Sequence, residues 1–171
     1  MYLCNHFIYM QLFYSEHTTP TTILLNEEES VHCTKVLRHS IGHTIQIIDG
    51  KGTLYDAEII EIHKKQTICS IKAAHTNFGV HPYFLRMCVA PTKNIDRFEF
   101  FLEKAVEMGV NEIIPLQCDN SERTIIKPER LERICISAMK QSYKAQKPFI
   151  APIQTCSSIL TNKYEGVCCI A

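Results

Sequence analysis

Three glutamates, Glu99, Glu103 and Glu107, stand four residues apart in the run DRFEFFLEKAVEMG. On a helix that spacing stacks them along one edge, where like charges repel by a few tenths of a kcal/mol. Such an edge requires cationic partners or a chemical role. Lys93 and Arg97, on the preceding loop and first turn, can neutralise Glu99 or reach an anionic ligand; a salt-laced surface helix fits the same residues. Further on, SERTIIKPER places Arg123, Lys127 and Arg130 on a loop and helix start, where phosphate contacts are natural. Gln141, Ser142, Tyr143 and Lys144, then Gln146 and Lys147, bunch at the end of the following helix. Polar groups there line a ligand crevice in an α/β fold, or form a solvated terminus.

The elements that must hold these residues fall into two rhythms. MQLFY reads as a first strand, with Met10 a candidate start beside Met1. HTTPTT follows as a loop. Asn26 caps a short helix, with Glu29 at the third position as in a capping box, and EEESVHCTKVLRH sets Val31, Lys35 and Arg38 along one edge. TIQIID, TLYDAEIIEI and QTICSIKAA are strand-like runs, separated by DGKG and HKKQ as hairpin turns. Strands this short and regularly spaced suggest a small antiparallel barrel. HTNFGVHP (75–82) is the natural boundary.

After it strands alternate with helices. YFLRMCVAP is a strand, and Asp96 caps a helix whose apolar face is Phe98, Phe101, Leu102, Ala105 and Val106. Gly109 fits a left-handed C-terminal cap, and NEIIPLQC is the next strand. Pro128 opens a second helix along Leu131, Ile134, Cys135, Ala138 and Met139. PFIAPI, SSILTN and GVCCIA then read as strand, helix and strand. This alternation argues for a parallel α/β sheet.

Composition excludes several classes. Net charge is zero, yet seven Lys/Arg face three Glu within 121–147, a modest anion-facing excess. Nine scattered cysteines without a Cys-x-x-Cys pair suit free thiols in a reducing cytoplasm. His32, His39 and His43 lack a carboxylate or Cys at ligand spacing, so no metal is expected. No basic leader precedes an apolar core, no apolar stretch approaches the ~18 residues of a membrane span, and no glycine-rich dinucleotide or P-loop occurs.

Three segments, KVLRHSIGHTIQIIDGKGTLYDAEI (35–59), PTKNIDRFEFFLEKAVEMGVNEIIPLQCDNSERT (91–124) and ISAMKQSYKAQKPFI (136–150), resemble the bacterial small-subunit ribosomal RNA methyltransferase E family, of the knotted SPOUT class. The resemblance runs from about Met10 onward. It implies S-adenosylmethionine-dependent methylation of N3 of a uridine in 16S rRNA, by a homodimer. Residues 1–80 would be a PUA-like RNA-binding barrel and 83–171 the α/β methyltransferase domain. Arg38 would face RNA with Lys93, Arg97, Arg123, Lys127 and Arg130. Glu107 would be the candidate catalytic carboxylate, and Gln141 and Ser142 would line the site. Met108 and Lys140 depart from the Leu and Glu usual in the family. The family's Gly-Pro-Glu-Gly-Gly turn does not occur before Ala171, so the resemblance implies a fragment whose cofactor pocket, knot and most of its dimer interface lie beyond that residue. The isolated chain is expected to be weakly soluble or to self-associate. A non-catalytic RNA-binding module is the competing expectation.

Overall fold

A computed structural model gives the fold and describes residues 11–119, 121 and 126–170. Met1, Met10 and Arg123 fall outside those residues. The chain divides into two compact units. One takes the chain up to Pro82 together with Ile136–Lys147, and the other holds Tyr83–Cys135 and the chain from Pro148.

In the first unit β1 (Leu12–Tyr14), β2 (Thr22–Leu25), β3 (Thr44–Ile48), β4 (Leu54–Ile62) and β5 (Thr67–His75) form one sheet, ordered β1-β3-β4-β5-β2. All neighbours are antiparallel except β1, which lies parallel to β3. Alternate side chains point to opposite faces, and one face gathers Phe13, Ile23, Leu25, Ile45, Ile47, Ala57, Ile59 and Cys69 around Cys33. Two register shifts in β4 bend the sheet. The loop leaving β1 reaches back to β2, where the Leu24 N–H donates to the His17 carbonyl at 3.0 Å. The result is a curled half-barrel.

Asn26 caps α1 (Glu27–Val31) as expected, its side chain accepting from the Glu29 N–H at 2.9 Å. The reciprocal half of the capping box does not form, because the Glu29 carboxylate turns to Lys140 instead. Beyond α1 the helix widens into a π-turn (His32–Val36), and Arg38 takes a left-handed φ of 58°. The single edge expected for Val31, Lys35 and Arg38 is therefore broken by the change of pitch.

In the second unit β6 (Arg86–Val89), β7 (Glu112–Gln117), β8 (Phe149–Ile150) and β9 (Gln154–Thr155) form a parallel sheet. β6 lies on one side of β7, with β8 and β9 on the other. α2 (Ile95–Met108) buries Phe98, Leu102, Ala105 and Val106. Its cap is Asn94 rather than Asp96: the Asn94 side chain accepts from the Asp96 N–H at 3.0 Å, and the Thr92 hydroxyl donates to the Asn94 carbonyl at 2.5 Å. Gly109 closes the helix at φ 82°, a conformation that favours glycine.

Pro128 is the first residue of α3 (Pro128–Ser142), which buries Leu131, Cys135, Ala138 and Met139. α4 (Cys156–Thr161) is capped by Thr155. The strand expected over GVCCIA is not present in residues 167–170, where Val167 and Ile170 are exposed.

Candidate functional site

The acidic edge of α2 has its own cations. Lys104 Nζ donates to Glu103 Oε1 and to Glu107 Oε1, each at 2.9 Å, and to Glu107 Oε2 at 3.1 Å. These carboxylates, Glu107 foremost, hold the ammonium above the usual lysine range. Glu99 is paired with Arg130: Nη2 donates to Oε2 at 2.8 Å, and Nε lies against Oε1 as an ion pair. The pair joins α2 to the first turn of α3, so Arg130 is engaged before any phosphate arrives. Of the two expectations for this edge, cationic partners are found within the unit, because a lysine one residue from Glu103 and three from Glu107 satisfies both.

Lys93 and Arg97 stand exposed at the start of α2, and Lys127 is exposed just ahead of α3. Arg97 and Lys127 have no ion-pair partner among the described residues. Arg123 lies outside the described residues. In the first unit Arg38 is exposed between Leu37 and Ile41, the latter 62% exposed. The structure thus brings Glu99 and Arg130 together, and Glu107 and Lys104. It places Arg38, Gln141 and Ser142 in the other unit.

At the end of α3 the polar cluster is used inward. The Ser142 hydroxyl donates to the Ala138 carbonyl at 2.7 Å, while Gln141 stays exposed. Tyr143, at φ 58°, donates its hydroxyl to Gln46 Oε1 on β3. Gln46 Nε2 in turn donates to Asp56 Oδ1 at 2.9 Å, so both ends of this amide are spent. The bond from Gln46 and, next, the His75 contact hold the Asp56 carboxyl below its usual range. Lys147 Nζ donates to Glu16 Oε1 at 2.7 Å and to the Tyr14 hydroxyl at 3.0 Å.

Sequence reasoning missed the Glu29–Lys140, Gln46–Tyr143 and Glu16–Lys147 contacts. The partners lie about a hundred residues or more apart, and no periodicity spans that distance.

Residues 81–171 match the RNA methyltransferase domain family, and residues 25–72 its PUA domain. The chain belongs to the RNA methyltransferase family. Among curated members it is 27% identical to the ribosomal RNA small subunit methyltransferase E of Aquifex aeolicus, over 92% of this chain and 73% of that protein.

Solved family structures agree. A probable rRNA-methyltransferase from Porphyromonas gingivalis is 35% identical with a TM-score of 0.77, covering 90% of this chain and 64% of that one. The ribosomal RNA small subunit methyltransferase E of Neisseria gonorrhoeae, solved bound to S-adenosyl methionine, is 26% identical with a TM-score of 0.76, covering 91% and 67%. The chain spans about two thirds of the length of these solved relatives.

Several charged side chains of the second unit are already paired with one another. Arg86 is committed to Glu112 at 2.5 Å, Arg130 to Glu99, and Lys104 to Glu103 and Glu107, whereas Arg97 and Lys127 stay exposed without an ion-pair partner among the described residues. Buried oxygens without a hydrogen-bond partner include Glu29 Oε2 and Thr67 Oγ1 in the first unit and Glu99 Oε1, beside the Arg130 guanidinium, in the second.

Proposed function

We propose that this protein takes part in S-adenosylmethionine-dependent methylation of N3 of a uridine in 16S rRNA, in the cytoplasm and as a homodimer, with the small ribosomal subunit as its partner. The observation that carries the reading is the pairing, on one chain and in family order, of a PUA match with an RNA methyltransferase match. The domain reading assigns RNA holding to residues 1–80 and the methyltransferase fold to 83–171. The described helices include none long and apolar enough to cross a membrane.

In this reading Arg38, Lys93, Arg97, Arg123 and Lys127 contact phosphates. Glu107 is the candidate carboxylate for the target base, whose N3 proton must leave before methylation. The cofactor's sulfonium supplies the methyl group. Methyl transfer to 16S rRNA transcripts, measured with labelled cofactor, tests the reading. Incorporation confined to uridine supports it, and incorporation elsewhere overturns the substrate assignment. Glu107→Gln is expected to slow transfer about a hundredfold; a loss under about threefold would return Glu107 to a salt bridge with Lys104.

A non-catalytic RNA-binding module is the second reading, favoured by the committed charges of the second unit. Calorimetric titration with S-adenosylmethionine separates the two. Saturable heat supports the enzyme, and RNA binding without such heat supports the module.

A further inference from the structure

Residues 140–147 do more than end a helix. In β1 and β3 both faces of the sheet are buried: Phe13, Ile45 and Ile47 on the core side, and Leu12, Tyr14, Gln46 and Ile48 on the other. Alternation assigns the second set to the outer face, which a half-barrel would ordinarily show to water. The chain from Lys140 to Lys147 meets that face. The Ala145 carbonyl accepts from the Gly52 N–H at 3.0 Å, and the Lys147 N–H donates to the Gly50 carbonyl at 2.9 Å. Gly50 admits the approach because a Cβ there, at φ 75°, would stand 3.1 Å from the Tyr14 ring. Tyr143 reaches Gln46, and Lys147 reaches Tyr14 and Glu16.

At the helical end of this strap, Lys140 Nζ donates to Glu29 Oε1 at 2.7 Å, with side chains 18% and 9% exposed. The second Glu29 oxygen is buried without a partner. A carboxylate so desolvated depends on its one cation, and removing either partner strands the other charge.

We propose that Glu29 and Lys140 are positioning residues: their ion pair anchors the 140–147 strap to the barrel and so fixes Gln141 and Ser142 to the unit that holds RNA. The inference rests on the functional reading above for the meaning of Gln141 and Ser142, and on the contacts alone for the anchoring. Register between bound RNA and those two side chains is then set in the barrel, by a residue 111 positions before Lys140.

Hydrogen exchange of the full chain tests this, read at the Gly52 and Lys147 amides, whose bonds join strap to barrel, with Ile45–Ile48 as the barrel reference. Lys140→Met and Glu29→Gln are each expected to speed exchange at the two strap amides about tenfold or more, leaving the reference unchanged. Lys140→Arg is expected to keep protection, and the exchanged pair Glu29→Lys with Lys140→Glu to recover it to within about threefold. Unchanged strap exchange in both single variants overturns the proposal. So does equal acceleration of the reference, which would make the pair a general stability contact, or failure of both Lys140→Arg and the exchanged pair to protect.

Binding of a 16S rRNA transcript by the same proteins is read separately. Absent binding by the wild-type chain would sink the functional reading while leaving the anchoring result standing.

Discussion

Tyr14, Glu16 and Lys147 show how a surface ion pair gains a defined role from its neighbours. Burial, then the hydrogen bond to Glu16, pushes the Tyr14 phenol up to about 12, while Lys147 and Tyr14 hold the Glu16 carboxyl below its usual range. The raised phenol contributes stability that is complete below about pH 10 and is lost as pH rises towards 12. The lowered carboxyl contributes above the ordinary carboxylate range and loses its contribution as pH falls through the folded value. Lys147→Met should therefore flatten the acid limb of a stability–pH curve measured by urea melts. Glu16 is half exposed, so the change is expected to be small, under about 1 kcal/mol at neutral pH; an unaltered acid limb would show the pair to be idle.

Among the arginines and lysines, pairing decides the RNA expectation. Lys127→Ala and Arg38→Ala should each weaken RNA binding and lower the salt slope by about one. Arg130→Gln, whose guanidinium Glu99 already holds, should leave the slope within error. Equal effects for all three would mean that RNA displaces Glu99.

α2 is defined by its two ends as much as by its apolar stripe. Asn94 satisfies a backbone N–H at one end, and Gly109 turns the chain left-handed at the other, where its N–H donates to the Val106 carbonyl at 3.0 Å. Loss of the cap in Asn94→Ala is expected to cost about 1 kcal/mol. Gly109→Ala, forced to φ 82°, should cost a similar 1–2 kcal/mol, roughly. Urea denaturation of the second unit measures both, and a neutral Gly109→Ala would mean that the cap relaxes. The interior is less forgiving: Leu102, 0% exposed, should lose about 2–5 kcal/mol on change to Ala.

For the molecule as two units, the thiols give a readout. Cys33 and Cys69 lie at 0% exposure in the barrel core, where burial pushes their thiols up to about 11 and about 12; Cys168 and Cys169 are exposed. Thiolate is the reactive form, so a disulfide reagent at neutral pH should label Cys168 and Cys169 at least about a hundredfold faster than Cys33 or Cys69. Rising urea should release Cys33 and Cys69 together, marking the unfolding of the first unit. Early labelling of Cys33 alone would mean that the π-turn opens independently of the sheet.

Much of this was legible in the residues themselves. Alternation over 44–75 gave the three long strands, the stripe from Phe98 to Val106 gave α2, and Pro128 and Gly109 marked ends, because each signal acts within a few residues. Motif order pointed to the RNA methyltransferase family. Folding settled the partners. Glu29 looked like half of a capping box until Lys140 drew its carboxylate away, and Gln141–Lys147 looked like a crevice lining until Tyr143 and Lys147 turned to the barrel. The acidic edge of α2 was resolved from nearby by Lys104 and from α3 by Arg130. A sequence records propensity along the chain, whereas charge pairing depends on distance in space and on the water excluded between groups; Glu29 and Lys140 acquire both only once the sheet has curled and the strap lies against it.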